Sequence, residues 1–192
     1  MPDTIKDGRG KGFLVAVNSD QQLITRATAV EQRLISTIDE NYFEATTGQI
    51  TLTDAAETGI IYILNSETLP LVIDRTFVDI WTSTDGSGAD GTLKYYRNPT
   101  YTGGSAIVPW ITNFNSNKAL DGTFLKSLST IAGDVWWTGY ITDKSSIIID
   151  EGRILIPPGR SFGISVAAPT GNTSMKISIN IAMYLLDTDL VG

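Results

Sequence analysis

The chain has 192 residues, of which 42% are apolar and 18% charged, with a formal net charge of −7 and no cysteine or histidine. Such a composition belongs to a folded chain with a substantial core. It excludes a disulfide framework, thiolate metal sites, nucleophile–His catalysis and His-based pH switching. The negative charge, with no sizeable basic patch against it, argues against nucleic acid as a partner.

No apolar run approaches the roughly 18 residues of a membrane span. Residues 1–8 lack the apolar stretch of a signal peptide, so neither a membrane partner nor a secretory leader is expected. Residues 1–27 differ from the rest. Asp7-Gly-Arg-Gly-Lys-Gly12 is a locally basic glycine stretch, and Phe13-Leu-Val-Ala-Val17 has the composition of a short strand. Asn18-Ser-Asp-Gln reads as a turn, and Gln22-Leu-Ile-Thr-Arg26 as a second short strand. A lone two-stranded hairpin is marginal in water. This one is therefore either an edge hairpin of the main domain, residues 28–192, or an arm that docks on another protein.

In residues 27–41, Thr28 and Glu31 have capping-box spacing, and Val30, Leu34, Ile35 and Ile38 share one helical face, so a short helix or an irregular wrap both fit. Strands are expected at 42–46, 50–53, 59–65 and 71–82. In the last of these Leu71 and Ile73 are odd but Val78 and Ile80 even, which predicts a bulge near 74–76. Gly86, Gly88 and Gly91 match a G-x-G-x-x-G spacing. The following Thr92-Leu-Lys-Tyr-Tyr-Arg97 reads as a strand, so no helix N-terminus awaits a phosphate, and a hairpin tip is expected instead. Alanine at position 89 also spoils a calcium loop. Residues 98–134 are rich in Gly, Pro and Asn and read as long excursions with short strands; strands resume at 135–142 and 146–149.

The clearest pattern is the last. Met175, Ile177, Ile179, Ile181, Met183 and Leu185 alternate with a face that opens Lys176, Ser178, Asn180. On a helix Ile177 and Ile179 would lie roughly 200° apart; on a strand they share one face. Phe162, Ile164 and Val166 repeat the pattern, and Pro169-Thr-Gly-Asn between the runs suggests a hairpin. Many short strands, almost no helix and no repeat of 20–50 residues predict an all-β, antiparallel β-sandwich. A jelly roll suits the size.

Three sets of side chains are candidates for chemistry. The acidic pairs Asp150-Glu151, Asp85 with Asp90, and Asp187 with Asp189 lie in turn-like or terminal segments and read as solvated loop charge; Asp150 and Glu151, as neighbours, could not converge on an extended strand. Lys144-Ser-Ser has no identifiable base beside it. Trp110, Trp136, Trp137 and Tyr140 form an aromatic set that would serve a core, a subunit interface or a glycan platform. Adjacent Trp136 and Trp137 should point to opposite faces, one into the core and one outward. No catalytic set, no metal set and no cofactor emerges, so a non-enzymatic protein is expected. The Asp- and Asn-rich loops leave a bound calcium ion open.

Three segments carry a family resemblance: residues 5–26, Ile60-Ile-Tyr-Ile-Leu-Asn65, and Ile156-Pro-Pro-Gly-Arg-Ser-Phe-Gly-Ile. The first has a glycine-rich start, a short Ala16-Val-Asn strand end and Leu23-Ile-Thr-Arg26. In these the chain resembles virion structural proteins of tailed bacteriophages, specifically capsid decoration or cement proteins. The resemblance implies a jelly-roll body that self-associates, commonly as a trimer, on the virion surface after synthesis in the host bacterial cytoplasm. It implies attachment to the major capsid protein or another virion protein through residues 1–27, with Gly8, Gly10 and Gly12 allowing close backbone approach and Phe13, Leu14, Val15 and Val17 supplying apolar contact. A carbohydrate- or receptor-binding module of a phage tail, neck or fibre is the competing expectation, with the aromatic set as its platform.

Overall fold

The computed structural model describes residues 4–6, 12–14, 40–52, 56–82, 91–141, 146–149, 154–168 and 175–186. The chain divides into two compact units, Met1–Gln32 and Arg33–Gly192. In the first, β1 (Thr4–Lys6) and β2 (Gly12–Leu14) pair antiparallel, with Ile5 opposite Phe13. The strand expected at 13–17 thus begins one residue early and has Thr4–Lys6 as a partner. The strand expected at 22–26 lies outside the described residues, as do residues 27–39 of the helix or wrap expected at 27–41. Glu40, at the end of that stretch, is a turn residue with φ of 60°.

The second unit is an antiparallel β-sandwich. Its first sheet holds β3 (Tyr42–Thr46), β4 (Ile50–Thr51), β6 (Leu71–Thr82), β8 (Trp110–Ile111), β10 (Ser146–Ile149), β11 (Ile154–Ile156) and β13 (Met175–Leu185). The second holds β5 (Glu57–Asn65), β7 (Gly91–Ala106), β9 (Gly122–Ile141) and β12 (Ser161–Ala167). Successive strands alternate between the sheets. β3 and β4 lead to β5, then β6, then β7, then β8, then β9, then β10 and β11, then β12, then β13. The first sheet runs β10–β6–β13–β3–β8, with β11 also on β6 and β4 also on β13. This is the wrapped order of a jelly roll.

The alternation in β13 sets the core. Met175, Ile177, Ile179, Ile181, Met183 and Leu185 are all buried, and no residue between them is. They face Ile61, Ile63, Leu93, Tyr95, Phe162, Ile164 and Val166 of the second sheet in one apolar cluster. Each such side chain contributes about 1.5–3 kcal/mol by leaving water. The bulge expected in β6 is present: Ala182 opposes Arg75 and Met183 opposes Ile73, leaving Asp74 as the extra residue. That insertion lets Ile73 and Val78 both reach the core.

Three expectations are corrected. The runs at 162–166 and 175–185 form no hairpin. β12 pairs with β5 and β7, while β13 pairs with β3, β4 and β6. Their apolar faces cover each other from opposite sheets, which buries both without a further layer. Likewise β6 and β7 lie in different sheets and do not pair as the expected hairpin; the glycine-rich residues between them lie outside the described residues. Residues 98–134 are mostly strand, because β7 runs on to Ala106 and β9 starts at Gly122. These extensions pair with each other as a long ribbon whose register shifts at Arg97/Thr100 and Thr102/Gly103. Asn98 (φ 47°), Gly103 (φ 67°) and Gly104 (φ 105°) supply the left-handed backbone at the shifts.

The ribbon also closes the second sheet. β9 pairs with β7 and, through residues 122–128, with β5, giving the ring β12–β5–β9–β7. Tyr62, Tyr96, Leu128 and Ile131 form a second, smaller apolar cluster, with Leu64 and Leu125 against it. β12 contributes Gly163 to this side, where a Cβ would overlap Ile131 Cδ1.

Candidate functional site

The expected site residues fall in separate places. Of the attachment candidates, Gly12, Phe13 and Leu14 lie in β2. Gly8, Gly10, Val15 and Val17 lie outside the described residues. Of the aromatic set, Trp137 is half-buried and packs on the main core, with its ring 4.9 Å from that of Tyr95. Trp136 is 49% exposed. The two do divide between core and outside, by way of a bulge: Trp137 opposes Tyr95, Val135 opposes Tyr96, and Trp136 is the extra residue. Its ring still meets the edge of Tyr95 at 5.8 Å. Tyr140, opposite Thr92, is 75% exposed.

Trp110 opens onto a different surface. It is 69% exposed on the short edge strand β8, opposite Glu44. With Tyr42, Arg75, Phe77 and Asn180 it walls a shallow cleft of about 570 Å³ on the first sheet. Beneath the cleft, Tyr42 donates its hydroxyl to the buried Asp74 carboxylate at 2.8 Å. The neighbouring segment leaves Val108 at 74% and Phe114 at 99% exposure. Among the described residues, then, the outward aromatics do not share one cleft.

Trp136 lines a second cleft, of about 660 Å³, between the β7–β9 bulges and the β11–β12 turn. Arg97, Asn98, Asp134, Leu155 and Arg160 stand around it. Its two sides are tied together, since Asn98 Oδ1 accepts from the Ser161 amide at 3.1 Å. The turn is fixed from behind. Arg160 N donates to Pro157 O at 3.1 Å, and the Arg160 carbonyl accepts from Asn65 N at 3.0 Å.

A polar cluster that sequence reasoning missed lies on the ring. Glu57 of β5 accepts from Lys94 Nζ at 2.6 Å, from Ser165 Oγ at 2.6 Å and from the Tyr96 hydroxyl. Burial pushes the Glu57 carboxyl up, but the donors Lys94, Ser165 and Tyr96 outweigh it and the net direction is down. The bond to Glu57 raises Lys94. Burial, then the bond to Glu57, raises Tyr96. Ser165 is fully buried, so no substrate reaches its hydroxyl. The geometry makes the carboxylate a tie across β5, β7 and β12. Among the described residues no group of acidic side chains has the arrangement of a metal site.

No known protein-family model matches the chain, and no curated protein sequence matches it.

Proposed function

We propose that this is a non-enzymatic structural protein of a tailed-bacteriophage virion, one that decorates and cements the capsid surface as a homo-oligomer, attached through its N-terminal segment. The observation that carries this reading is the division of the chain into a small N-terminal unit containing a β-ribbon and a jelly-roll body with its own core. In this reading the first unit serves as the docking element. Gly8, Gly10 and Gly12 would allow close backbone approach there, and Phe13, Leu14, Val15 and Val17 would contribute apolar contact. Self-association, with a trimer as the form that the resemblance implies, is supported by Val108, Trp110 and Phe114. These are large apolar side chains left 69–99% exposed within seven residues of sequence.

The reading is tested by co-sedimentation with phage heads that lack the protein, using the full chain and a truncation that starts at Arg33. Pelleting of the full chain alone is the expected result. Equal pelleting of both would move attachment to the body. If neither pellets, the decoration reading fails.

A further inference from the structure

We propose that the Trp136 cleft is a binding site for an acidic saccharide, a sugar chain bearing carboxylate groups. The inference is independent of the decoration reading and can stand or fall without it.

Three properties of the cleft carry it. The first is a half-exposed indole held in place from below. Trp136 is the bulged residue of β9, and its ring rests against Tyr95, a fully buried member of the main core. A pyranose has an apolar face of C–H groups that packs on such a ring, at little entropic cost because the indole is already fixed. The second is charge. Arg97 and Arg160 line the cleft against one carboxylate, Asp134, in a chain of net charge −7. All three side chains are exposed, and among the described residues none enters an ion pair with another. Guanidinium groups match a carboxylate with two parallel N–H donors, and Asp134 is an acceptor for sugar hydroxyls. The third is preorganisation. Arg97 lies on β7 and Arg160 in the β11–β12 turn, yet the bond between their neighbours Asn98 and Ser161 ties the two segments, and Asn65 holds the Arg160 turn. The spacing of their backbones is therefore built into the fold before any ligand arrives. The cleft's volume of about 660 Å³ accommodates a ligand of one to a few sugar rings. A nucleic acid would also stack on an indole, but the two arginines of the cleft are too few to track a run of backbone phosphates.

The test is titration of the full chain, by calorimetry, with oligogalacturonate, hyaluronan oligomers and oligosialic acid, and with dextran oligomers as the neutral control. At least one acidic probe is expected to bind, at least about tenfold more tightly than dextran, a difference of about 1.4 kcal/mol. Arg160→Ala and Arg97→Ala, changes at exposed side chains, are each expected to weaken that binding about tenfold while leaving the thermal midpoint in place. Trp136→Ala is expected to abolish it, and Trp110→Ala, in the other cleft, to leave it unchanged. The proposal is overturned if no acidic probe binds at about millimolar concentration. It is also overturned if both arginine variants bind as the parent does, or if Trp110→Ala rather than Trp136→Ala removes binding.

Discussion

Asn65 donates its side-chain amide to the carbonyl of Ile156, 91 residues away, at 2.9 Å. The same nitrogen donates to Leu69 O at 3.0 Å, and Oδ1 accepts from Glu67 N at 3.0 Å. The Asn65 backbone completes the clamp. Its carbonyl accepts from Gly159 N at 2.8 Å, and its amide donates to Arg160 O at 3.0 Å. Two segments far apart in the chain, 60–65 and 156–164, are thus bonded to each other through one fully buried asparagine. Asn65→Ala should cost about 2–4 kcal/mol, because it strands two carbonyls and an amide where no side chain replaces the lost partner. Denaturant titration checks this. A loss under about 0.5 kcal/mol would mean that water takes over the amide's role.

Gly163 gives a second prediction. An alanine Cβ there would overlap Ile131 Cδ1 and lie 3.0 Å from Pro99 Cγ inside the small ring. Gly163→Ala should destabilise by about 1–3 kcal/mol through overpacking. Adding Ile131→Val should recover part of that loss, so a double-mutant cycle that shows strict additivity would reject the contact as the cause.

The Glu57 tie makes stability depend on pH at both ends. Its folded carboxyl lies below the ordinary 4.5, so its contribution is present above that value and is lost as pH falls through the folded pKa. Lys94 is raised above 10.5 and Tyr96 above 10.0, so their contributions are full below those values and fade as pH rises through the raised ones. Glu57→Gln should lower stability between the two ends and flatten both limbs. Thermal midpoints from about pH 3 to 11 would show it, and an unchanged acid limb in the variant would refute the assignment.

The two kinds of tryptophan separate cleanly. Trp137→Ala, which removes a ring packed on Tyr95 and the core, should cost about 3 kcal/mol. Trp110→Ala, at a 69% exposed position, should stay within about 0.5 kcal/mol in the dilute chain. Equal losses in urea titrations would contradict the packing described.

What the sequence made legible follows from period and parity. The alternation from Met175 to Leu185 fits a strand and fails as a helix, and the parity switch in β6 pointed to a bulge or bend at 74–76, where Asp74 is the extra residue. Sheet membership was not legible. Pro169-Thr-Gly-Asn has turn chemistry, but turn chemistry does not say whether the chain returns to the same sheet or crosses to the other. The β7–β9 ribbon was hidden for a different reason. Asn98, Pro99, Gly103 and Gly104 look like loop residues because they sit at its register shifts, where a strand tolerates them. The Glu57 cluster had no local signal at all. Its members lie 37, 39 and 108 residues from Glu57, and only strand pairing brings them together.

One consequence of the topology concerns biosynthesis. β13 lies between β6 and β3 in the first sheet, yet the ribosome makes it after both. Until Leu185 has emerged, the facing edges of β3 and β6 have no strand to pair with, and the apolar side chains destined for the main core remain open to solvent or to a neighbouring nascent chain. Folding of the body is therefore a late, nearly all-at-once event. A chain cut short before Met175 would be no smaller version of this protein but an aggregation-prone fragment without its keystone.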